Sequence, residues 1–223
     1  MLQVQDYPLR EKKYARTKVG LMTAFMERLK ESRFDDISIR EVCRDLEIAE
    51  GTFFNYFPEK TDVIGYYIQL LTSKMAWKAK RDVPSGKYIA LINAFFHQVG
   101  EQGWNTNIIY QILSVLVLHS EKPKTCEISG LEKQLVFPDE PGIEDSPSEE
   151  LVAWFRECLL AARRNGELPP KADIDDIEVS LVAILSGTLI AIRFRDTKSR
   201  GYHYKRQLQA LWRDVGVKPQ DIF

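Results

Sequence analysis

Residues 38–60 read SIREVCRDLEIAEGTFFNYFPEK and carry two short helical patterns separated by a tight turn. Ser38 with Glu41 three residues on is a capping-box signature, and Ile39, Val42, Cys43 and Leu46 then recur at the spacing of one helical face. The turn Glu47-Ile48-Ala49 leads into a second helix over Glu50 to Phe57, which Pro58 closes. A connection of three to four residues sets two helices at the steep crossing angle of a helix-turn-helix. In the second helix Phe53 and Phe57 share a face that can pack on Ile39, Val42 and Leu46, while Glu50, Phe54, Asn55 and Tyr56 point outward. Outward aromatics on so short a helix call for a cover, and the major groove of DNA admits one helix. Gly51 removes a side chain where a backbone must approach closely. Thr52, Asn55, Tyr56 and Lys60 are donors suited to phosphate oxygens, which fix register without reading sequence.

The run I-A-E-G-T-F-F-N-Y-F-P-E-K resembles the recognition-helix signature of the tetracycline-repressor-like (TetR) transcriptional regulators. The similarity extends upstream through Phe34, Ser38, Ile39 and Arg40 into a first helix from about Lys12 to Lys30. By this resemblance Arg40, Glu50, Gly51 and Phe54 fall at positions that approach base edges, and Ser38, Thr52, Asn55, Tyr56 and Lys60 at phosphate-contacting positions. It implies an all-α fold, with a three-helix DNA-binding domain at residues 1–60 and a helical bundle for ligand binding and dimerisation at residues 61–223. It further implies a cytoplasmic homodimer that represses from a palindromic double-stranded DNA operator and is released by a small-molecule effector. Four positions depart from the pattern. Glu47 stands where a turn glycine is usual, Arg33 replaces another glycine, and Ala49 stands where a serine or threonine usually caps the helix, a loss of about 0.5–2 kcal/mol. Glu50 puts a carboxylate toward DNA, where phosphates repel it unless it accepts from a cytosine N4.

Charge does not mark residues 1–60 as a basic domain, because 11 Lys+Arg are balanced by 11 Asp+Glu. The bases are unevenly placed, with Arg10, Lys12, Lys13, Arg16 and Lys18 against Glu11 alone at the start of the first helix, an arm able to reach the DNA backbone or simply a solvated face. Over the whole chain of 223 residues the net charge is -1, consistent with one or two globular domains. Cys43, Cys126 and Cys158 are odd in number and widely spaced, which argues against a disulfide framework and for a reducing compartment. No signal-peptide pattern opens the sequence, and the apolar run Val179 to Ile192 reads as a buried helix too short to span a bilayer.

Beyond Pro58 the helical period continues: about Thr61 to Lys80, then Ser85 to Gly100, then Asn105 to His119. Residues 120–148 hold four prolines and lead into an acidic tract, and predict a mobile loop with one helical turn around Gly130 to Val136. Ser146-Pro147-Ser148-Glu149 reads as a helix start and Gly166 as its stop. The next helix, about Asp175 to Arg195, is apolar nearly all round, which points to contact with a second subunit, and a last one covers Tyr204 to Val215.

Enzyme motifs are missing: there is no G-x-G-x-x-G, G-x-S-x-G or H-E-x-x-H. His97, His119 and His203 lie far apart without partners at ligand spacing, so neither a metal nor a cofactor is expected. Trp77, Phe95, Phe96, Trp104, Tyr110, Trp154 and Phe155 are candidates to line an effector cavity, although aromatic stripes at helical spacing are also the ordinary content of a core. Two functional classes follow: a ligand-responsive DNA-binding repressor, or a helix-turn-helix-derived protein-interaction module with weak or no operator binding.

Overall fold

A computed structural model describes residues 6–103, 105–119, 123–194 and 199–218, and among these every regular element is a helix. The chain packs as two compact units, residues 1–73 with 104–148 and residues 74–103 with 149–223. This division by packing runs through the middle of one continuous helix, Asp62–Asp82, and is a different division from the one by role at residue 60.

The first unit contains α1 (Leu9–Leu29), α2 (Ile39–Asp45), α3 (Glu50–Tyr56), the first half of α4 (Asp62–Asp82), α6 (Thr106–Leu118) and α7 (Gly130–Val136). Helix α1 turns Ala15, Leu21, Met22, Phe25, Met26 and Leu29 into the core. Its last carbonyls, on Leu29 and Lys30, accept from the Asn107 side-chain amide at 3.3 and 2.8 Å, so α6 supplies the C-terminal cap that α1 lacks in its own sequence. Ser38 caps α2 as its sequence predicts, accepting from the Glu41 N–H at 3.4 Å.

Residues 123–148 are not the mobile loop that their prolines and acids predict. The helical turn at Gly130–Val136 is there, but Ile128, Leu131, Phe137 and Ile143 are all buried, and Ser129 with Glu132 forms a complete capping box. The apolar residues are spaced widely enough for the acids between them to dominate the composition, yet together they build a satellite core on α1.

The second unit packs α5 (Tyr88–Glu101) between α8 (Leu151–Arg164) and α10 (Arg200–Val215), with α9 (Ile174–Ala191) against α8 and α10. A Cβ on Gly100 would lie 2.8 Å from the Cα of Gly201, so α5 and α10 cross backbone to backbone. Helix α8 starts later than Ser146-Pro147-Ser148-Glu149 predicts. Ser148 is committed to Ile128, donating to its carbonyl and accepting its N–H at 2.9 and 3.1 Å, and Glu150 caps the helix instead. Gly166, at φ 74°, ends it as expected.

Helix α9 corrects a second reading. With the 3₁₀ turn that follows, Ile174–Phe194 spans 21 residues and holds an 18-residue stretch of mean hydropathy 1.9, long and apolar enough by length and composition to cross a membrane. Nor is it buried all round: Ile174, Ile177, Leu181 and Thr188 face the unit, while Val179 and Ile190 are 67% and 44% exposed. Helices α8 and α10 pack against its inner side.

One buried carboxylate ties this unit together. Glu167, in the turn after α8, accepts the N–H groups of Tyr88 and Ile89, both at 3.0 Å, and so caps the start of α5, where the helix dipole also favours a negative charge. Glu167→Ala leaves two donors unmatched in a buried setting and should lower the unfolding free energy by about 1–3 kcal/mol, read as a shifted midpoint in urea at unchanged slope.

Candidate nucleic-acid interface

Helix α3 is fixed from beneath by aromatics. Phe53 and Phe57 are fully buried, with ring centroids 5.6 Å apart, and Phe57 meets Tyr66 of α4 at 5.6 Å. That burial leaves Glu50, Gly51, Phe54 and Asn55 exposed, and Thr52 and Tyr56 half-buried. Phe54, 45% exposed, presents its ring to solvent edge-on to Phe53. A Cβ added to Gly51 would meet nothing within 4 Å, so no internal contact demands glycine there and the open space lies outside the protein. Arg40 on α2 and Glu50 on α3 border one open notch, together with Ser38 and Arg44.

Lys60 also has partners within the protein. Its ammonium donates to the Asp35 carbonyl at 3.1 Å and lies 4.7 Å over the Phe34 ring. Burial lowers its pKa, opposed by the nearby Asp35 and Asp36 carboxylates. Lys18 departs from the basic arm assigned to it. It is 3% exposed and bonded to Glu132 of α7 at 3.0 Å, while Arg10, Lys13 and Arg16 remain exposed. Tyr14, which the sequence does not single out, joins the face: it is 50% exposed and its ring stands 4.8 Å from that of Tyr56. The helical spacing of Tyr14 from Arg10 was the available signal.

The turn before α3 carries strain. Glu47 has φ 55°, the one non-glycine residue with positive φ among those described, at the position where the family pattern has glycine. Ala49, at the N-cap, gives no side-chain cap. Electrostatics is unhelpful to DNA as well, since the first unit holds 14 Lys+Arg against 19 Asp+Glu, net -5, and the second 17 against 13, net +4.

No protein-family model matches this sequence, and no curated protein matches it. Solved structures do. The fatty acid degradation regulator FadR from Bacillus halodurans superposes with a TM-score of 0.57 at 14% identity, over 90% of this chain and 97% of that one. A protein from Shewanella sp. PV-4 assigned to the tetR family of transcription regulators gives 0.52 at 15% identity, over 90% and 98%. The chain has the fold of the TetR-family regulators. At these identities the likeness concerns the backbone, and the side chains of this TetR fold are its own.

The seven aromatic candidates for an effector cavity do not come together as one lining. Phe95, Phe96, Trp154 and Phe155 form a solid cluster in the second unit, with Phe95 4.8 Å from Trp154 and Phe96 stacked on Phe155 at 5.7 Å, each at most 2% exposed. Trp77 lies on α4 under the Arg81 guanidinium at 4.7 Å, Tyr110 lies on α6 in the first unit, and Trp104 falls outside the described residues. The second unit instead carries a half-open groove of about 530 Å³ between α5 and α10, bordered by Ala90, Ala94, Phe96, His97, Lys205 and Leu208 among others. Of the six that are described, Phe96 alone borders it. Cys158 is buried packing, its thiol pushed up to about 12 by burial, and no cluster of potential metal ligands occurs among the described residues.

Glu47→Gly removes the penalty of a left-handed side-chain residue and should stabilise the protein by about 0.5–1 kcal/mol, whereas Glu47→Val should destabilise it by at least as much. Thermal unfolding of the two variants, followed by circular dichroism, reads the opposite signs directly.

Proposed function

We propose that the chain is a ligand-responsive transcriptional regulator, most simply a repressor, that binds a palindromic operator as a homodimer. The observation that carries this reading is the outward face of α3: Glu50, Gly51, Phe54 and Asn55 exposed on a helix whose other side is locked by Phe53 and Phe57. Residues 1–60 supply the DNA-reading part, with Arg40, Glu50, Gly51 and Phe54 toward bases and Ser38, Thr52, Asn55, Tyr56 and Lys60 toward phosphates. Residues 61–223 supply dimerisation and effector binding. Helices α8 and α9 form the dimer contact, which covers the exposed Val179 and Ile190. The effector is a small apolar or aromatic molecule, and the groove between α5 and α10 suits it better than the filled aromatic cluster, because pockets of about 300–1,000 Å³ with apolar walls and a few polar groups are typical of such ligands. Helix α4 begins shortly after α3 and ends at Asp82, next to Val83 of the groove, so it is the covalent connector.

The rival reading is a protein-interaction module that keeps the helix-turn-helix without operator binding, favoured by the net charge of -5 on the unit that carries α3. Salt dependence separates the two. A regulator that makes several phosphate contacts loses affinity for duplex DNA with a log-log slope near -0.9 per contact. A slope near zero, or no detectable binding even at low salt, would sink the regulator.

Within the regulator reading, Tyr56→Ala should weaken binding to all sequences alike. Arg40→Ala and Glu50→Ala should instead change base preference, by about 1–3 kcal/mol per lost contact. Selection of bound sequences from a random duplex pool measures both effects, and half-sites should recur about 34–36 Å apart or at a multiple of that.

Gly187→Arg tests the dimer. Gly187 is exposed and nothing within 4 Å would meet its Cβ, so the substitution spares the protomer while blocking close approach of a second α9. Sedimentation should show a wild-type dimer and a monomeric or aggregated variant; a wild-type monomer at micromolar concentration would remove the interface.

A further inference from the structure

Residues 123–136 cross the junction of α1 and α4 and are held there by buried polar groups. At the start of α4 the Asp62 carboxylate accepts from the Lys124 N–H at 2.9 Å and from the Glu59 N–H at 3.0 Å. Two turns on, the Gln69 side chain accepts from the Cys126 N–H at 3.2 Å. Between them Gly65 leaves no room for a side chain, since a Cβ would stand 2.8 Å from the Pro123 Cβ and 3.0 Å from the Lys124 carbonyl.

The contact closes on an ion pair. Lys18 of α1 and Glu132 of α7 meet at 3.0 Å, each side chain 3% exposed. Both Glu132 oxygens are used, one by Lys18 and by the Tyr66 hydroxyl at 3.1 Å, the other by the N–H and hydroxyl of Ser129 at 2.6 and 2.9 Å. Burial, the largest single influence, disfavours the Lys18 ammonium, but Glu132 together with Cys126 and Tyr14 outweighs it and the Lys18 pKa is raised. Burial, and then Glu132, likewise raise that of Tyr66.

Two aromatic relays lead from this pair to α3. On one side the Tyr66 ring meets Phe57 at 5.6 Å, and Phe57 meets Phe53 at 5.6 Å, the buried face of α3. On the other, Lys18 stands 5.9 Å from the Tyr14 ring, which meets Tyr56 at 4.8 Å on the exposed face. The same two charges thus stand at the root of both faces of the helix. Packed elements of this kind switch between discrete arrangements rather than deform continuously.

We propose that residues 123–148 are a regulatory strap, and that its docked state, closed by Lys18 and Glu132, positions α3 for binding. Lys18, Glu132 and Tyr66 are positioning residues that touch no DNA themselves. The inference rests on the DNA-reading role of α3 given above.

The test uses the full chain in three variants. Gly65→Ala pushes Pro123 and Lys124 off α4 without touching the ion pair. Lys18→Met strands the Glu132 charge, and Lys18→Met with Glu132→Gln leaves no charge stranded. Amide hydrogen exchange over 123–136 and 50–57 is measured beside affinity for the duplex that the wild type enriches from a random pool, at one salt concentration and at a temperature where every variant is folded. Gly65→Ala and Lys18→Met should each speed exchange in both segments and weaken binding by about tenfold, within the range of ordinary allosteric coupling, and the double variant should recover most of both losses. Fast exchange at 123–136 with wild-type exchange at 50–57 and wild-type affinity would show a merely structural strap and overturn the proposal. Should Lys18→Met not fold, Gly65→Ala decides alone. Should the wild type enrich no duplex, the regulator reading fails on its own account, and exchange at 50–57 still judges the strap, which falls if that segment does not respond.

Discussion

A lysine and a glutamate that meet out of contact with water organise the first unit. Taking two charges out of water costs several kcal/mol per ion, so such a pair adds little net stability, but removing one partner is severe because the other stays buried and unmatched. The arrangement around Lys18 and Glu132 meets the condition for tolerating that cost: the carboxylate is satisfied at both oxygens and the ammonium also faces the Tyr66 ring at 4.4 Å. What the pair contributes is geometry. Three helices from distant parts of the sequence meet here, and a packing that parted Lys18 from Glu132 would strand a charge.

The surface beside this rigid centre is built against its own electrostatics. A net charge of -5 on the unit, a carboxylate at Glu50 and a strained Glu47 each work against a polyanion or against the turn that presents α3. Phosphate attraction is largely blind to sequence, so a unit with weak general attraction for DNA must draw more of its affinity from shape and base contacts. Within the regulator reading, that combination favours discrimination over strength.

The helix-turn-helix was legible because its signals are local. Ser38 and Glu41, the i, i+3, i+4 face of α2 and the Phe53–Phe57 pair lie within a few turns of one another, and their structure follows from period alone. The strap was not legible, because every group that holds it is far away in sequence: Lys18 meets Cys126 across 108 positions and Asp62 meets Lys124 across 62. Lys18 itself looks like one more base in an arm until the partner that buries it is known. The helix start expected at Ser146 fails because the Ser146 hydroxyl donates to the Ile143 carbonyl and Ser148 is held by Ile128, 20 positions away. Of the aromatic candidates, Phe95, Phe96, Trp154 and Phe155 pack on one another while Trp77 and Tyr110 lie apart, a distinction that helical periodicity does not carry.

The cap on α1 has a consequence for how the protein is made. Asn107 closes the end of α1, Gln111 holds the Phe34 N–H at 3.0 Å, and Glu132 neutralises Lys18, so a chain emerging from the ribosome cannot complete its helix-turn-helix unit when residue 60 appears. It must wait for roughly 70 further residues, which at about 5–20 residues per second is on the order of 4–14 s. Through that interval Phe34 lacks the His119 ring that packs on it and the Lys18 ammonium remains in water. An N-terminal fragment cut at the apparent end of the helix-turn-helix would stay permanently in that nascent condition.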